Sequence, residues 1–208
     1  MDKKVMAKSN REQIKEKILQ AAIIEFSLHG FTGASTQGIA ARAGLKKSQL
    51  HYYIEDKESL YHQVLMTIFS TWDALFEYAP ERGDTPEKTL TQYITEKFEF
   101  AVNYPELSRV FTMEVMGGGR FLESYWDRAM GSALVKAEII NSWVNDNKIR
   151  QLDGRLFLMN IWALTQYYAD YALQAENLLK KPVSDPEQKA AIQQELITFV
   201  LKGCGVTD

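Results

Sequence analysis

Helical periodicity runs through almost all of this 208-residue chain and constrains its fold more than any other feature. Apolar residues recur three and four positions apart, which is the spacing of one face of an α-helix. No long alternating run of β-branched residues is present, so a sheet is not expected. All five prolines stand at plausible helix boundaries, namely Pro80, Pro86, Pro105, Pro182 and Pro186. We therefore predict an all-α protein of about nine helices.

Start and stop residues divide the pattern into individual helices. Gly30 is expected to end the first helix, because glycine readily adopts positive φ at a helix C-terminus. Either Ser35 or Thr36 suits the cap of the second helix, and Asp56 suits the cap of a long one. The predicted helices cover about residues 10–29, 36–43, 47–53, 57–78, 86–103, 105–116, 121–145, 153–179 and 186–202.

Charge is distributed unevenly along the chain. The formal net charge is −3, yet residues 1–57 contain ten Lys and Arg against six Asp and Glu, whereas residues 58–208 contain fourteen against twenty-one. A basic head on an acidic body indicates an anionic partner for the head alone. We therefore predict two domains, 1–57 and 58–208, joined by the long helix that begins near Asp56.

The rest of the composition argues against several classes of protein. The single cysteine, Cys204, excludes a disulfide framework within the chain. The polar N-terminus is unlike a signal peptide, and no apolar run is long enough to cross a membrane. His29, His51 and His62 lack the spacing of metal ligands. We expect a cytoplasmic protein with no membrane partner, metal ion or cofactor.

The segment STQGIAARAGLKKSQLHYY predicts two short helices joined by a tight turn at Gly44. Ile39 and Leu50 belong to the small apolar core that these helices would share. The outward side chains are long hydrogen-bond donors, and a helix-turn-helix places such donors in the major groove of DNA. The predicted DNA contacts are Ser35, Thr36, Lys46, Lys47, Ser48, Gln49, His51, Tyr52 and Lys57. A solvated face of a small helical bundle is the alternative.

The wider segment FSLHGFTGASTQGIAARAGLKKSQLHYYIEDKESLY resembles the N-terminal DNA-binding domain of the TetR family of transcriptional regulators. The matching features are Phe26, Gly30, the IA and AG pairs, Leu50, the tyrosine pair and DKESL, and they span roughly residues 12–62. The resemblance implies a homodimeric one-component regulator, typically a repressor, that binds double-stranded operator DNA of palindromic sequence.

Two departures from the family pattern affect the second short helix. Lys46 stands where the family usually has a capping serine; this removes a cap of about 1 kcal/mol and adds a possible phosphate contact. His51 stands where tyrosine is usual. Gly38 is also costly, because glycine inside a helix is about 1 kcal/mol less favourable than alanine. It indicates close packing or a close approach of DNA.

The second lobe contains an unusual line of side chains within NIWALTQYYADYA. Trp162, Gln166 and Asp170 recur every four residues, on one face of a helix. Core packing explains a tryptophan by itself, but a buried carboxamide needs a partner, and a planar polar molecule would supply one. The predicted ligand-binding residues are Trp72, Arg109, Met113, Trp126, Trp162, Gln166 and Asp170.

Two spans of this lobe, YPELSRVFTMEVMGGG and FLMNIWALTQYYADYALQ, resemble the Rut-type branch of the TetR family, the regulators of pyrimidine utilisation. Together they cover about a third of the lobe. The resemblance implies a small-molecule effector that is a planar pyrimidine such as uracil or thymine, with Trp72, Trp162 and Gln166 at the matching positions. A family member with an unrelated effector is the alternative.

The last two long helices carry apolar faces that suit pairing with a second copy. A two-fold dimer would match two DNA half-sites. The predicted interface residues are Leu156, Met159, Ala163, Tyr167 and Leu173 on one helix, and Ile192, Leu196, Phe199 and Val200 on the other. The alternative is that these faces form the core of a single chain.

Two other functions stay open at this point. One is a helical sensor or interaction module that binds no DNA, although the charge asymmetry and the KKSQLHYY segment argue against it. The other is an enzyme that uses Glu114 and Asp170 as acid and base. No nucleophile is arranged beside them, and GGGR at 117–120 lacks the Lys-Ser/Thr of a P-loop. We expect no catalytic residues.

Overall fold

The computed structural model describes residues 10–75 and 85–206, and this part of the chain forms ten α-helices and no β-strand. The helices are α1 (Asn10–Gly33), α2 (Thr36–Arg42), α3 (Lys47–Tyr53), α4 (Lys57–Leu75), α5 (Pro86–Asn103), α6 (Pro105–Met116), α7 (Glu123–Asn145), α8 (Gly154–Asp170), α9 (Ala172–Leu179) and α10 (Pro186–Gly203). A 3₁₀ turn, Arg120–Leu122, precedes α7. The predicted all-α class is confirmed, and the helix count is close to the predicted nine.

The capping residues act as predicted at several helix ends. Gly30 has a φ of 62° and interrupts the helical geometry of α1. Asp56 Oδ1 accepts a hydrogen bond from the backbone N of Ser59 at 2.7 Å and so caps α4. Pro86 and Pro105 occupy the first turns of α5 and α6. Pro80 and the predicted end of the long helix near residue 78 lie outside the described residues.

The single helix predicted over residues 153–179 is instead two helices, α8 and α9. Tyr171 separates them, because its φ of −114° and ψ of 27° depart from helical values. Its ring nevertheless stacks on Tyr167 at 5.3 Å, as two residues four apart on one helix would. The apolar spacing continues through this break, so the periodicity gives no sign of it.

In the N-terminal lobe the helix-turn-helix formed by α2 and α3 packs on α1, and α1 packs in turn on α4. Gly44, with a φ of 70°, makes the tight turn between α2 and α3. The backbone N of Leu45 donates to the Ala40 carbonyl oxygen at 2.9 Å and closes that turn. Ile39, Ala40 and Leu50 are fully buried together with Phe26 of α1. This core fixes the direction in which the outer face of α3 points.

Glu25 of α1 is a buried carboxylate that holds both ends of α2. Its Oε2 accepts from Arg42 Nε at 2.8 Å, and its Oε1 accepts from the backbone N of Ser35 at 3.5 Å. The hydrogen bond from Arg42 lowers the pKa of Glu25 below its ordinary value. A Cβ at Gly38 would lie only 2.1 Å from Glu25 Oε1. Close packing against Glu25 therefore accounts for the glycine inside α2.

The C-terminal lobe packs α5 against α8 and α10, and α7 against α8. Helix α6 lies between the lobes, since it contacts α1 and α4 on one side and α5 and α8 on the other. Helix α4 begins in the head at Lys57, the residue at which the domain boundary was predicted. Among the described helices, none combines the length and apolar character that a membrane span requires.

The two helices predicted to pair with a second copy divide their apolar residues between core and surface. Ile192, Leu196 and Val200 of α10 are buried within the chain. The exposed ones are Leu156, Met159, Ala163 and Tyr167 of α8, Leu173 of α9 and Phe199 of α10. The core of a single chain explains the first group. The second group remains exposed, although Tyr167 also stacks on Tyr171.

Gly38→Ala is expected to destabilise the protein by about 1–3 kcal/mol, because the new methyl group displaces Glu25 from Arg42 and Ser35. The same substitution made together with Glu25→Ala should cost far less, since the clash is gone and alanine favours the helix. Urea denaturation of the four proteins in this cycle measures the difference.

Gly131→Ala is the matched control, since Gly131 lies inside α7 with open space around it. It should raise the free energy of unfolding by about 0.5–1 kcal/mol. A destabilisation by Gly38→Ala that is equally large with and without Glu25 would contradict the packing explanation.

Candidate DNA-binding surface and ligand cavity

Helix α3 presents its polar side chains on one exposed surface of the head. Leu50 is fully buried and Ile54, directly after the helix, is also buried, so they hold α3 to the core. The remaining predicted contacts from this segment are all exposed, namely Lys46, Lys47, Ser48, Gln49, His51 and Tyr52. Tyr52 is 74% exposed although it is aromatic. The structure thus brings these residues together as a surface without a partner in the described chain.

The N-terminus of α3 is capped by Gln49 in place of a serine. Lysine has no side-chain acceptor, so Lys46 cannot cap the helix itself. Instead Gln49 Oε1 accepts from the backbone N of Lys46 at 2.8 Å. This leaves the NH2 group of Gln49 for DNA, so Gln49 can donate to a base edge while the cap stays closed. Its carbonyl oxygen has a second lone pair, so it can also accept a hydrogen bond from a base.

The predicted contacts at the start of α2 serve the helix as well as the surface. Ser35 Oγ accepts from the backbone N of Gly38 at 2.9 Å, which makes Ser35 the N-cap. The Ser35 side chain is exposed, and its hydroxyl group still has a proton that it can donate to a phosphate. Thr36 is half-buried at the first position of α2.

Lys57 is engaged within the head. Its Nζ donates to the carbonyl oxygens of Phe31 and Ala34 at 2.8 and 3.0 Å, and it lies 4.6 Å from the centre of the Phe31 ring. An ammonium group has three donors, so one N–H is left for the predicted phosphate contact. Lys57 therefore ties the start of α4 to the end of α1, whatever it contributes to DNA binding.

A cavity of about 460 Å³ opens between α4, α5, α6, α7 and α8. Its lining residues are Met66, Phe69, Trp72, Tyr93, Lys97, Phe111, Tyr125, Trp126, Arg128, Ala129, Met130, Ser132, Ala133, Val135, Lys136, Trp162 and Gln166. Trp72, Trp126, Trp162 and Gln166 were predicted as ligand-binding residues, and the structure places them here. The cavity is of a size that suits a small organic molecule.

Aromatic rings form the walls of the cavity. Trp72 meets Phe111 edge to face at 4.7 Å, and Phe69 stacks on Tyr125 at 4.8 Å. On the opposite wall Trp162 Nε1 donates to the hydroxyl oxygen of Tyr93 at 2.8 Å. These contacts hold the rings in fixed orientations, which favours a flat ligand over a flexible chain.

The sequence analysis did not predict two polar groups of the cavity, the buried Tyr93 and the half-buried Lys97. Burial raises the pKa of Tyr93 to about 12, so its hydroxyl stays protonated at neutral pH. Burial, together with the nearby charge of Lys136, lowers the pKa of Lys97 to about 7. Lys97 lies 5.2 Å from the centre of the Trp72 ring. In the sequence, Lys97 stands among glutamates of α5 and is typical of a solvated face.

A chain of hydrogen bonds runs from the cavity wall into the protein. Gln166 Nε2 donates to Thr112 Oγ1 at 2.5 Å, and Thr112 Oγ1 donates to Asp170 Oδ2 at 2.8 Å. Asp170 was predicted to touch the ligand, but it lies behind Gln166 and is absent from the cavity lining. Burial raises the pKa of Asp170 above its ordinary value.

The other two predicted ligand residues, Arg109 and Met113, also lie outside the cavity lining. Arg109 donates to Glu106 Oε1 at 3.3 Å and to the Ala169 carbonyl oxygen at 3.4 Å, so it links α6 to α8. Met113 lies toward the head, because a Cβ at Gly30 would be 3.2 Å from Met113 Cε. Both residues belong to α6, from which Phe111 is the residue that lines the cavity.

The junction between head and body contains a second buried carboxylate, Glu114. One of its oxygens accepts from the Tyr61 hydroxyl at 2.9 Å and the other from the backbone N of Phe121 at 2.8 Å. Phe121 lies 4.5 Å from Phe31 of the head and 5.2 Å from Tyr61, between ring centres. Both oxygens of Glu114 are thus used to join α4, α6 and the turn before α7. The carboxylate is not available to act as the acid or base of an enzyme.

Helix α6 connects the cavity to this junction. Phe111 lies on the cavity wall, and Glu114 is one turn further along the same helix. No cluster of three or more potential metal ligands occurs in residues 10–75 and 85–206. The arrangement therefore combines a donor-bearing surface on the head, an aromatic cavity in the body, and one helix that packs against the head helices α1 and α4 and also lines the cavity.

Models of known families match both lobes of the chain. Residues 18–64 match the bacterial regulatory proteins of the tetR family, and residues 65–207 match the C-terminal region of YcdC-like proteins. The two matches meet between residues 64 and 65, about two turns into α4.

Individual proteins agree with the family matches. The HTH-type transcriptional regulator RutR of Escherichia coli K12 is 38% identical over 166 residues, which are 78% of this chain and 76% of RutR. The HTH-type transcriptional repressor NicS of Pseudomonas putida is 28% identical over 109 residues, about half of each chain (52% and 51%).

Solved structures share the fold. The ketosteroid transcriptional regulator KstR2 of Mycobacterium tuberculosis has a TM-score of 0.69 at 18% identity, covering 95% of this chain and 96% of its own. AibR, solved with isovaleryl coenzyme A and operator DNA, has a TM-score of 0.69 at 14% identity, covering 89% and 97%. The helix-turn-helix head, the helical body and these matches together show that the chain belongs to the TetR family and is a transcriptional regulator, not an enzyme.

Proposed function

We propose that this regulator binds palindromic operator DNA as a homodimer and that its cavity binds a planar effector, a pyrimidine such as uracil. One observation carries the effector proposal. Trp72 of α4 and both Trp162 and Gln166 of α8, which are far apart in sequence, line the same cavity. Their rings and carboxamide are the groups needed to stack on a flat heterocycle and to pair with its edge.

The hydrogen-bonding capacity of Gln166 supports a pyrimidine. A carboxamide has two N–H donors and one carbonyl acceptor, and Thr112 uses only one N–H. The remaining N–H and the carbonyl oxygen can pair with a ring that offers an N–H beside a C=O. The resemblance to the Rut-type branch favours the same ligand class. The fold alone does not select an effector, since AibR shares it and was solved with isovaleryl coenzyme A.

The exposed apolar residues on α8, α9 and α10 support the dimer. Met159 is 49%, Leu173 is 76% and Phe199 is 61% exposed in the single chain. Several exposed apolar side chains on neighbouring helices are typical of an interface between protein chains. A dimer that binds two half-sites of an operator needs its two α3 helices in successive major grooves, about 34 Å apart.

The proposed mechanism is a shift between two arrangements of the dimer. An effector that binds one arrangement more tightly stabilises it by the difference in binding free energy, typically about 1–3 kcal/mol. Helix α6 transmits this difference, because it touches the cavity through Phe111 and the head through Glu114. The regulator acts as a repressor in this account, on the bacterial chromosome and hence in the cytoplasm.

Lys47→Ala should weaken binding to every DNA sequence, because an exposed lysine at the start of α3 is placed to contact phosphate. The slope of log affinity against log salt concentration should fall by about 1, since one counterion fewer is released. Fluorescence anisotropy with random and genomic DNA, at several salt concentrations, measures both quantities.

Lys202→Ala is the control for the loss of one positive charge, because Lys202 is exposed on α10 in the body. It should leave affinity and salt slope unchanged. Equal effects of the two substitutions, or binding that ignores salt, would argue against α3 as the DNA-contacting helix.

Uracil at about 100 times its dissociation constant should stabilise the protein by about 2.7 kcal/mol, which corresponds to a rise in melting temperature of several degrees. Trp162→Leu should abolish the rise, because it removes one stacking ring from the cavity while keeping apolar bulk. Differential scanning fluorimetry with uracil and thymine measures the shift.

Trp143→Leu provides the matched control, because Trp143 is buried on α7 but does not line the cavity. It should lower the melting temperature without reducing the shift caused by the ligand. A wild-type protein whose melting temperature ignores pyrimidines would refute this effector and leave the DNA-binding claim intact.

A further inference from the structure

The hydrogen bonds that link Gln166, Thr112 and Asp170 behind the cavity wall all donate in the same direction, toward Asp170. Gln166 reaches the cavity, whereas Thr112 of α6 and Asp170 of α8 do not. The two hydrogen bonds, Gln166 to Thr112 and Thr112 to Asp170, are 2.5 and 2.8 Å long. The Thr112 hydroxyl has a single proton. If it donates that proton to Asp170, it can only accept a hydrogen bond from Gln166.

The carboxylate at the far end sets that direction. An ionised carboxylate only accepts hydrogen bonds, so the Thr112 hydroxyl must give its proton to Asp170. The Thr112 oxygen is then left as an acceptor, and its partner on Gln166 must be the NH2 group. The Gln166 carbonyl oxygen therefore faces away from Thr112. The cavity is presented with an acceptor and one remaining N–H.

The environment of Asp170 shows that its charge is costly to keep. Oδ1 is buried and has no hydrogen-bond partner among the described residues. A buried polar atom in this state is unfavourable and calls for an explanation. Arg109 favours the ionised form through its charge, but its own hydrogen bonds go to Glu106 and Ala169. Asparagine would have nearly the same shape without the charge.

We propose that Asp170, acting through Thr112, is a positioning residue that orients the Gln166 carboxamide, and that the effector must therefore present a hydrogen-bond donor such as a ring N–H to Gln166 Oε1. This inference rests on the proposed role of the cavity as the effector site. It gives a function to Asp170, which was predicted to touch the ligand but lies behind the cavity wall.

The first arm of the test needs no ligand. The side-chain NH2 resonances of Gln166, assigned with Gln166→Met, are followed by ¹⁵N–¹H correlation spectra of the intact protein at neutral pH. One of the two protons should exchange slowly with water, and its chemical shift should move in Asp170→Asn and Thr112→Val. Thr165→Val should leave it in place, because the Thr165 hydroxyl bonds only to carbonyl oxygens of its own helix.

The second arm measures selectivity. Dissociation constants are measured by calorimetry for uracil, 1-methyluracil and 3-methyluracil. Uracil has two ring N–H donors, and each methylated ring lacks one of them. The wild type should bind at least one methylated ring about tenfold or more weakly than uracil. In that complex Gln166 Oε1 would be a buried acceptor without a donor.

Asp170→Asn should lower the ratio of the dissociation constant of the methylated ring to that of uracil. Its amide can donate to Thr112, which frees the Thr112 hydroxyl to donate to Gln166 Oε1 and turns the Gln166 NH2 group to the cavity. The penalty for the methylated ring should shrink to about threefold or less, and Thr112→Val should act in the same direction. Thr165→Val should keep the wild-type ratio.

The outcomes separate the two claims. A penalty unchanged in both Asp170→Asn and Thr112→Val reflects steric exclusion by the methyl group and would overturn the positioning role. Chemical shifts of the Gln166 NH2 protons that do not change in Asp170→Asn and Thr112→Val would overturn the positioning role as well. If no pyrimidine binds while the Gln166 resonances respond, the pyrimidine effector is wrong and the orientation by Asp170 stands.

Discussion

Glu114 is a buried contact that joins the two lobes, and the proposed coupling between them depends on it. This buried carboxylate accepts from Tyr61 of α4 and from the backbone of Phe121, so three segments meet at one side chain. The rings of Phe31, Tyr61 and Phe121 pack around it and join head to body. Phe111 on the same helix forms part of the cavity wall, so α6 is in contact with both the cavity and the junction to the head.

Local signals in the sequence predicted much of this architecture. The caps Ser35 and Asp56 and the turn glycines Gly30 and Gly44 act through bonds within a few residues, so their roles can be inferred from spacing. The outward face of α3 was predictable for the same reason, since a seven-residue helix with one buried leucine leaves few arrangements for its polar residues.

Contacts between distant segments were harder to predict. Gly38 is explained by Glu25, thirteen residues away on another helix, and the capping of α3 by Gln49 compensates for a serine that the sequence lacks. Four of the predicted ligand residues line the cavity, whereas Asp170 lies behind it and Arg109 and Met113 face elsewhere. Periodicity places a residue on a helix but does not say which neighbour that side of the helix will meet.

In the proposed mechanism, the binding of effector and the binding of DNA are coupled through α6. The most direct measurement is the DNA affinity of the protein with and without saturating uracil, paired with the uracil affinity measured with and without DNA. The account predicts a change of about 5- to 150-fold in DNA affinity and the same factor in uracil affinity, because coupling between two binding sites is reciprocal. Uracil that binds with full occupancy yet leaves the DNA affinity unchanged would contradict it.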